Sequence, residues 1–294
     1  LEDLAAALTG MRMLVTNDTG TMHLAAGLGI PVLAFFLATA QPFDTGPYLA
    51  GSCCLEPAMG CHPCAFDATC PHNQACRHHI APDTASALVF SYLRNNHWAV
   101  ATKMETIKNT ARVWVSEYDN QGFMSLRSLS GHEHDARTAW LMLQRRCLHP
   151  YLMQEHTQLY IPPSFSDTPP VPSPEAMEIS EALRRTASLV GLMLHQGNLL
   201  HERPLPLMRE RFLGNWKKVH DCLRASHWLG SLSLLWSHET QMEGQDLGSV
   251  LERTSRFELL LASLMQGLSP DAQGLLPDAV NTAHQFDQAS CFKA

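Results

Sequence analysis

Met13-Leu-Val-Thr-Asn-Asp-Thr-Gly-Thr-Met-His-Leu-Ala-Ala-Gly-Leu-Gly-Ile-Pro-Val-Leu-Ala-Phe-Phe36 reads as a strand, a tight polar turn, a short helix, a second turn and a second strand. Met13 to Val15 is apolar and stops at Asn17-Asp-Thr-Gly20, which is turn chemistry at a strand end. Met22 to Leu28 suits a helix. Gly29 and Pro31 end it, because glycine caps at little cost and proline cannot continue the pattern. Val32 to Phe36 is continuously apolar, as in a parallel strand buried on both faces. The unit predicts an α/β fold.

That order puts Asp18, Thr19 and Gly20 where a strand hands over to a helix. Free backbone N–H groups and the positive end of the helix dipole meet there, which favours phosphate. Gly20 lets a ligand approach the backbone, and the Thr19 hydroxyl can donate to it. His23 lies one turn on, on a face that can look back at the same ligand. The residues fit equally an ordinary strand-to-helix turn with Asp18 as N-cap. One glycine and one aspartate at this spacing do not separate the two readings.

Val15 to Phe36 closely resembles the donor-site segment of family 9 glycosyltransferases, the ADP-heptose:lipopolysaccharide heptosyltransferases. Thr45-Gly-Pro-Tyr48 resembles the loop after that family's second strand. Cys61-His-Pro-Cys64, Cys70-Pro71, Cys76 and Ile80-Ala-Pro-Asp83 resemble its cysteine-bearing tail. The likeness covers residues 1–95. It implies that Asp18, Thr19, Gly20 and His23 hold the diphosphate and sugar of a nucleotide donor, with the backbone of Thr21 and Met22 completing the cradle. Where the family follows the second strand with Gly-Pro-(Thr/Ser), this chain has Leu37-Ala-Thr39.

Charge and length bound the rest. A formal net charge of −7 argues against a general nucleic-acid binder, and 294 residues suffice for one large or two ordinary domains. Hydrophobic and charged contents of 45% and 17% are those of a globular protein. The longest uncharged stretch, Leu24 to Ala40, is broken by Gly27, Gly29 and Pro31, so no membrane span is expected. The chain opens on Leu1, inside an expected helix from Glu2 to Leu8, and is expected to be a fragment.

Cys61, Cys64, Cys70 and Cys76 follow C-x2-C-x5-C-x5-C, with His62, His72, His78 and His79 interleaved. Thiolates and imidazoles at such spacing can close a structural zinc site. A disulfide pair in an oxidising compartment and a compact loop of free thiols remain alternatives. Cys53, Cys54, Cys147, Cys222 and Cys291 read as small core residues.

Pro82 to Leu93 predicts a helix with proline in its first turn, packing through Ala87, Leu88, Phe90, Tyr92 and Leu93. Ala111 to Val115 and Phe123 to Leu126 predict a β-hairpin, and Glu133 to Leu148 a helix. His132 and His134 read as solvated polar residues, since i and i+2 point to different helix faces. Ile161 to Pro174, with six prolines, reads as an extended linker. From Glu175 onward, Met177, Leu183, Ala187, Val190, Met193 and Leu194 recur at near-helical spacing. Leu247, Val250, Leu251, Phe257, Leu260, Leu261 and Leu264 do the same. A small helical bundle follows, with Gly197 and Gly214 near segment ends and Trp216-Lys-Lys218 on a solvated face.

The expected organisation is four regions. Residues 1–96 form part of a GT-B, Rossmann-like C-terminal lobe with the cysteine loop, and 97–160 the hairpin and helix. Residues 161–174 form the linker and 175–294 the bundle. The resemblance implies an inverting heptosyl- or hexosyltransferase. It would move a sugar from an ADP-heptose-like donor to a lipopolysaccharide-type or other glycan or lipid-linked acceptor. It also implies action in the cytoplasm, peripherally at the inner face of the bacterial inner membrane. The resemblance further implies that transfer requires no cofactor. The catalytic base is unassigned, and the acceptor lobe is expected to be missing, so this chain alone is expected to be inactive. The alternatives are a zinc-stabilised binding module organised by the cysteine loop, or an interaction domain formed by the helices.

Overall fold

A computed structural model of the chain describes residues 1–64, 69–100, 104–119, 122–153, 171–240 and 246–268. The chain divides into two compact units, Leu1–Glu133 and His134–Ala294.

The first unit is built on a five-stranded mixed sheet in the order β1-β2-β3-β4-β5. Its elements begin with α1 (Glu2–Thr9), β1 (Leu14–Asn17), α2 (Gly20–Gly27), β2 (Val32–Phe35), α3 (Pro42–Thr45) and β3 (Cys53–Pro57). They continue with α4 (Cys76–His79), α5 (Pro82–Asn95), α6 (Met104–Lys108), β4 (Ala111–Tyr118) and β5 (Met124–Ser128). β1, β2 and β3 are parallel, with Val15 opposite Leu33 and Ala34 opposite Cys54. β4 runs antiparallel to β3 and β5 antiparallel to β4. The α2 C-terminus is closed by Gly29 at φ +74°, a left-handed conformation that glycine adopts without steric cost.

Alternation along the strands feeds a core on each face of the sheet. Met22, Ala25, Val32, Ala34, Phe36, Cys54 and Trp114 pack together on one face. Leu33, Cys53, Leu55, Leu88, Trp98 and Val113 pack on the other. Two expectations shift here. The sheet continues past the boundary expected at 96, because β4 pairs with β3 along five residues. Phe90, expected on the packing face of α5, is 59% exposed. Leu88 takes the buried position, and two residues along a helix turn the side chain to the opposite side.

The second unit is helical: α7 (Ala136–Met153), α8 (Ser173–Glu202), α9 (Pro206–Ala225), a 3-10 turn (His227–Leu229), α10 (Gly230–Thr240) and α11 (Leu247–Leu268). The α8 stripe is Ile179, Leu183, Thr186, Val190 and Met193, all buried at a spacing of three and four. Met177 lies off that stripe and is 72% exposed, contrary to expectation. Gly197 stands in the last two turns of α8, and Gly214, expected near a segment end, lies in the middle of α9. Trp216 is half-buried, and its indole N–H donates to the Thr240 hydroxyl at 2.8 Å. His132, expected to be solvated, is buried in the first unit. Its Nε2 donates to the Lys108 carbonyl at 3.1 Å, and Nδ1 is bonded to the Ser130 hydroxyl at 2.7 Å.

Residues 161–170 of the proline-rich linker and Cys291 lie outside the described residues. Among the described residues no helix is long and apolar enough to cross a membrane.

Candidate functional site

β1 ends at Asn17 and α2 begins at Gly20, so Asp18 and Thr19 make the turn. Thr19, and not Asp18, is the N-cap. Its backbone is extended at φ −151° and ψ 164°, and its hydroxyl makes no capping hydrogen bond. Asp18 is still held by the sheet, its N–H donating to the Phe35 carbonyl at 3.2 Å. Its Oδ2 accepts from the Thr45 hydroxyl at 2.9 Å.

The first amides of the helix are open. Among the described residues the N–H groups of Gly20 and Thr21 have no acceptor, as expected of an uncapped first turn. The Met22 N–H donates to the Thr19 carbonyl at 3.0 Å, and its side chain is fully buried in the core. That amide is thus already engaged. A Cβ at Gly20 would meet no heavy atom within 4 Å, and its φ is not in the left-handed region. Neither packing nor backbone conformation demands glycine there. The open space over it is where a ligand can approach. Thr19 and His23 are exposed.

A cleft of about 500 Å³ opens where β1 and β2 end. Ligands of open α/β sheets occupy the crevice at the carboxyl ends of the parallel strands. Asn17, Asp18 and Ala38 line it together with Cys70, Cys76 and Arg77. Of the residues expected to hold the donor, Asp18 lines this cleft. Thr19, Gly20, Thr21, Met22 and His23 follow it around the turn.

The loop after β2 departs from the Gly-Pro-(Thr/Ser) of the resembled family. Ala38 stands at φ +56°. Proline's ring fixes φ near −65°, so this backbone excludes it. An alanine in that conformation carries strain on the order of 1 kcal/mol. The Ala38 carbonyl accepts the Cys64 N–H at 2.8 Å, tying the cysteine stretch to the strand ends.

Within that stretch the Gln74 N–H donates to Cys70 Sγ at 3.2 Å, and His79 Nε2 donates to the Asn109 carbonyl at 3.2 Å. Partial burial pushes the Cys64 thiol above its ordinary value, and nearby Cys61, Cys76 and Cys70 raise it further. Cys64, Cys70 and Cys76 line the same cleft. Among the described residues no three His, Cys, Asp or Glu side chains are grouped to hold a metal ion. Among the described residues Cys53, Cys54, Cys61, Cys64, Cys70, Cys76 and Cys222 carry free thiols. Sequence reasoning weighed this stretch for its ligand types and passed over Arg77, whose signal was only a lone basic residue after Cys76.

Residues 1–75 match glycosyltransferase family 9 (heptosyltransferase). Over 107 residues the chain is 33% identical to lipopolysaccharide heptosyltransferase 1 of Pseudomonas aeruginosa, an alignment covering 36% of this chain and 30% of that protein. The chain therefore spans less than a third of that relative's length. No solved structure gives a significant match.

Proposed function

We propose, on the premise that residues 1–75 are a family 9 glycosyltransferase segment, that the turn from β1 to α2 binds the diphosphate of a nucleotide-sugar donor. The observation that carries this is the pair of unengaged amides on Gly20 and Thr21, with open space over Gly20. In an inverting transfer an acceptor oxygen attacks the anomeric carbon while the bond from that carbon to the diphosphate oxygen breaks. Negative charge grows on the departing diphosphate, and preorganised N–H donors at a helix N-terminus stabilise it.

Thr19 and His23, both exposed beside those amides, are proposed to hydrogen-bond the same donor. Asp18, fixed by Thr45, is proposed to meet the sugar hydroxyls. A base must take the proton from the acceptor hydroxyl. It is assigned to no residue of this chain, and transfer by this chain alone is not expected. The proposed setting is a GT-B enzyme acting peripherally at the cytoplasmic face of a bacterial inner membrane. Its donor would be an ADP-heptose-like sugar nucleotide and its acceptor a lipopolysaccharide-type glycan. No step of the proposed transfer calls for a metal or another cofactor.

Titrating an ADP-sugar into the isotope-labelled chain tests the donor site. The amide signals of Thr19 to His23 should shift together and saturably. Signals that stay put while the nucleotide is in excess would overturn the reading.

A further inference from the structure

We propose that the Arg77 guanidinium is the cation that neutralises the donor's diphosphate. The proposal rests on the donor-site reading above and names the residue that makes that site electrostatically favourable.

The charge balance requires such a group. The α2 N-terminus offers roughly half an elementary positive charge against the roughly two negative charges of a diphosphate diester. Asp18 adds a further negative charge in the same cleft. Amides alone therefore leave the site net repulsive. Among the described residues lining the cleft, Arg77 is the only lysine or arginine. Among the described residues its guanidinium has no hydrogen-bond or ion-pair partner, so its charge is not already compensated.

Its backbone is located and its side chain is free. Arg77 follows Cys76 in α4. The cysteine stretch is tied down before it by the Cys64–Ala38 bond and after it by the His79–Asn109 bond. A long arginine on a fixed base can swing into the cleft, and its planar fork matches two phosphate oxygens at once. An ordinary solvated surface arginine would show the same exposure but would not share a cleft with Asp18.

Calorimetric titration of the full chain with ADP and with AMP decides between these. Arg77→Gln should weaken ADP binding about tenfold or more, the loss typical of a charged hydrogen-bond partner. AMP, which lacks the second phosphate, should change by far less. Arg77→Lys should recover part of the ADP affinity, and the exposed control Arg94→Gln should change nothing. ADP affinity in Arg77→Gln should also depend less steeply on salt than in the unmodified chain. Unmodified ADP binding by Arg77→Gln, with its melting temperature unchanged, overturns the role of Arg77 and leaves the donor site standing. Failure of the unmodified chain to bind ADP at all would remove the donor site and this role with it.

Discussion

The Thr45 hydroxyl donates to Asp18 Oδ2 at 2.9 Å, joining two turns 27 residues apart in the chain. Thr45 ends α3, and the following Gly46 has no room for a side chain, since a Cβ there would overlap the Pro42 carbonyl oxygen. The turn that carries Thr45 is thus set by backbone contact, and Asp18 is oriented by it. Thr45→Val should cost less than about 1 kcal/mol of stability, because the bond is exposed to water. It should nevertheless weaken ADP-sugar binding several-fold by releasing the carboxylate. Gly46→Ala should lower stability by about 1–3 kcal/mol, as overpacking against backbone does. Denaturant titration and calorimetry on the two variants separate these effects. Equal donor affinity in Thr45→Val and the unmodified chain would detach Asp18 from donor binding.

The thiols should react in an order set by exposure. Cys70 is exposed, Cys61 and Cys76 are half-buried, and Cys53, Cys54 and Cys147 are buried. Burial pushes the Cys53 and Cys54 thiols well above their ordinary range, which removes the reactive thiolate at neutral pH. Iodoacetamide should therefore label Cys70 first, Cys61 and Cys76 next, and Cys64 more slowly because its own thiol is raised. Cys53, Cys54 and Cys147 should resist until the chain unfolds. Cys64, Cys70 and Cys76 line the cleft and Cys61 does not, so saturating ADP should slow labelling at those three and leave Cys61 unchanged. Mass spectrometry of the labelled peptides would show this, and undiminished labelling of Cys70 would mean that nucleotide does not occupy the cleft.

Local signals in the sequence carried the strand–helix–strand unit well. The Asn17-Asp-Thr-Gly20 break and the Gly29/Pro31 stop are decided by a few residues acting on their own backbone. What the sequence hid depended on distant partners. Thr19 replaces Asp18 as N-cap because the Phe35 carbonyl keeps the Asp18 backbone in the sheet, a pairing that no local pattern reveals. His132 is buried because Ser130 and the Lys108 carbonyl satisfy both ring nitrogens. Arg77 enters the site only through the fold of the cysteine stretch, whose composition drew attention to thiols and imidazoles instead.

Two glycines in the helical unit should respond to the same substitution with opposite sign. Gly197 lies four residues beyond Met193 on the buried stripe of α8, and a Cβ there would overlap Leu251 and Phe212. Gly214, in α9, has nothing within 4 Å of the same added atom. Alanine is favoured over glycine in a helix interior by roughly 1 kcal/mol. Gly214→Ala should therefore stabilise by about 0.5–1 kcal/mol. At Gly197 that gain is outweighed by overpacking of about 1–3 kcal/mol, so Gly197→Ala should be net destabilising. Melting temperatures moving in the same direction for both variants would contradict the close approach of α8 and α11.

Glu258 on α11 should govern part of the pH dependence. A Cβ added at Gly191 of α8 would lie 3.2 Å from its Oε1, so the carboxyl occupies space that the glycine leaves. Burial holds it above the ordinary glutamate value of 4.5. In the unfolded chain the group ionises near 4.5, while the folded protein keeps the proton to higher pH. As pH rises above 4.5 the unfolded state therefore gains relative to the folded one. The penalty grows until the folded group ionises too and stays constant beyond that. Glu258→Gln, which stays neutral, should raise stability at pH 7.5 and leave it nearly unchanged at pH 4. Melting curves of both proteins between pH 4 and 7.5 should converge at the acid end and diverge as pH rises. Parallel curves would mean that the Glu258 carboxyl ionises alike in both states.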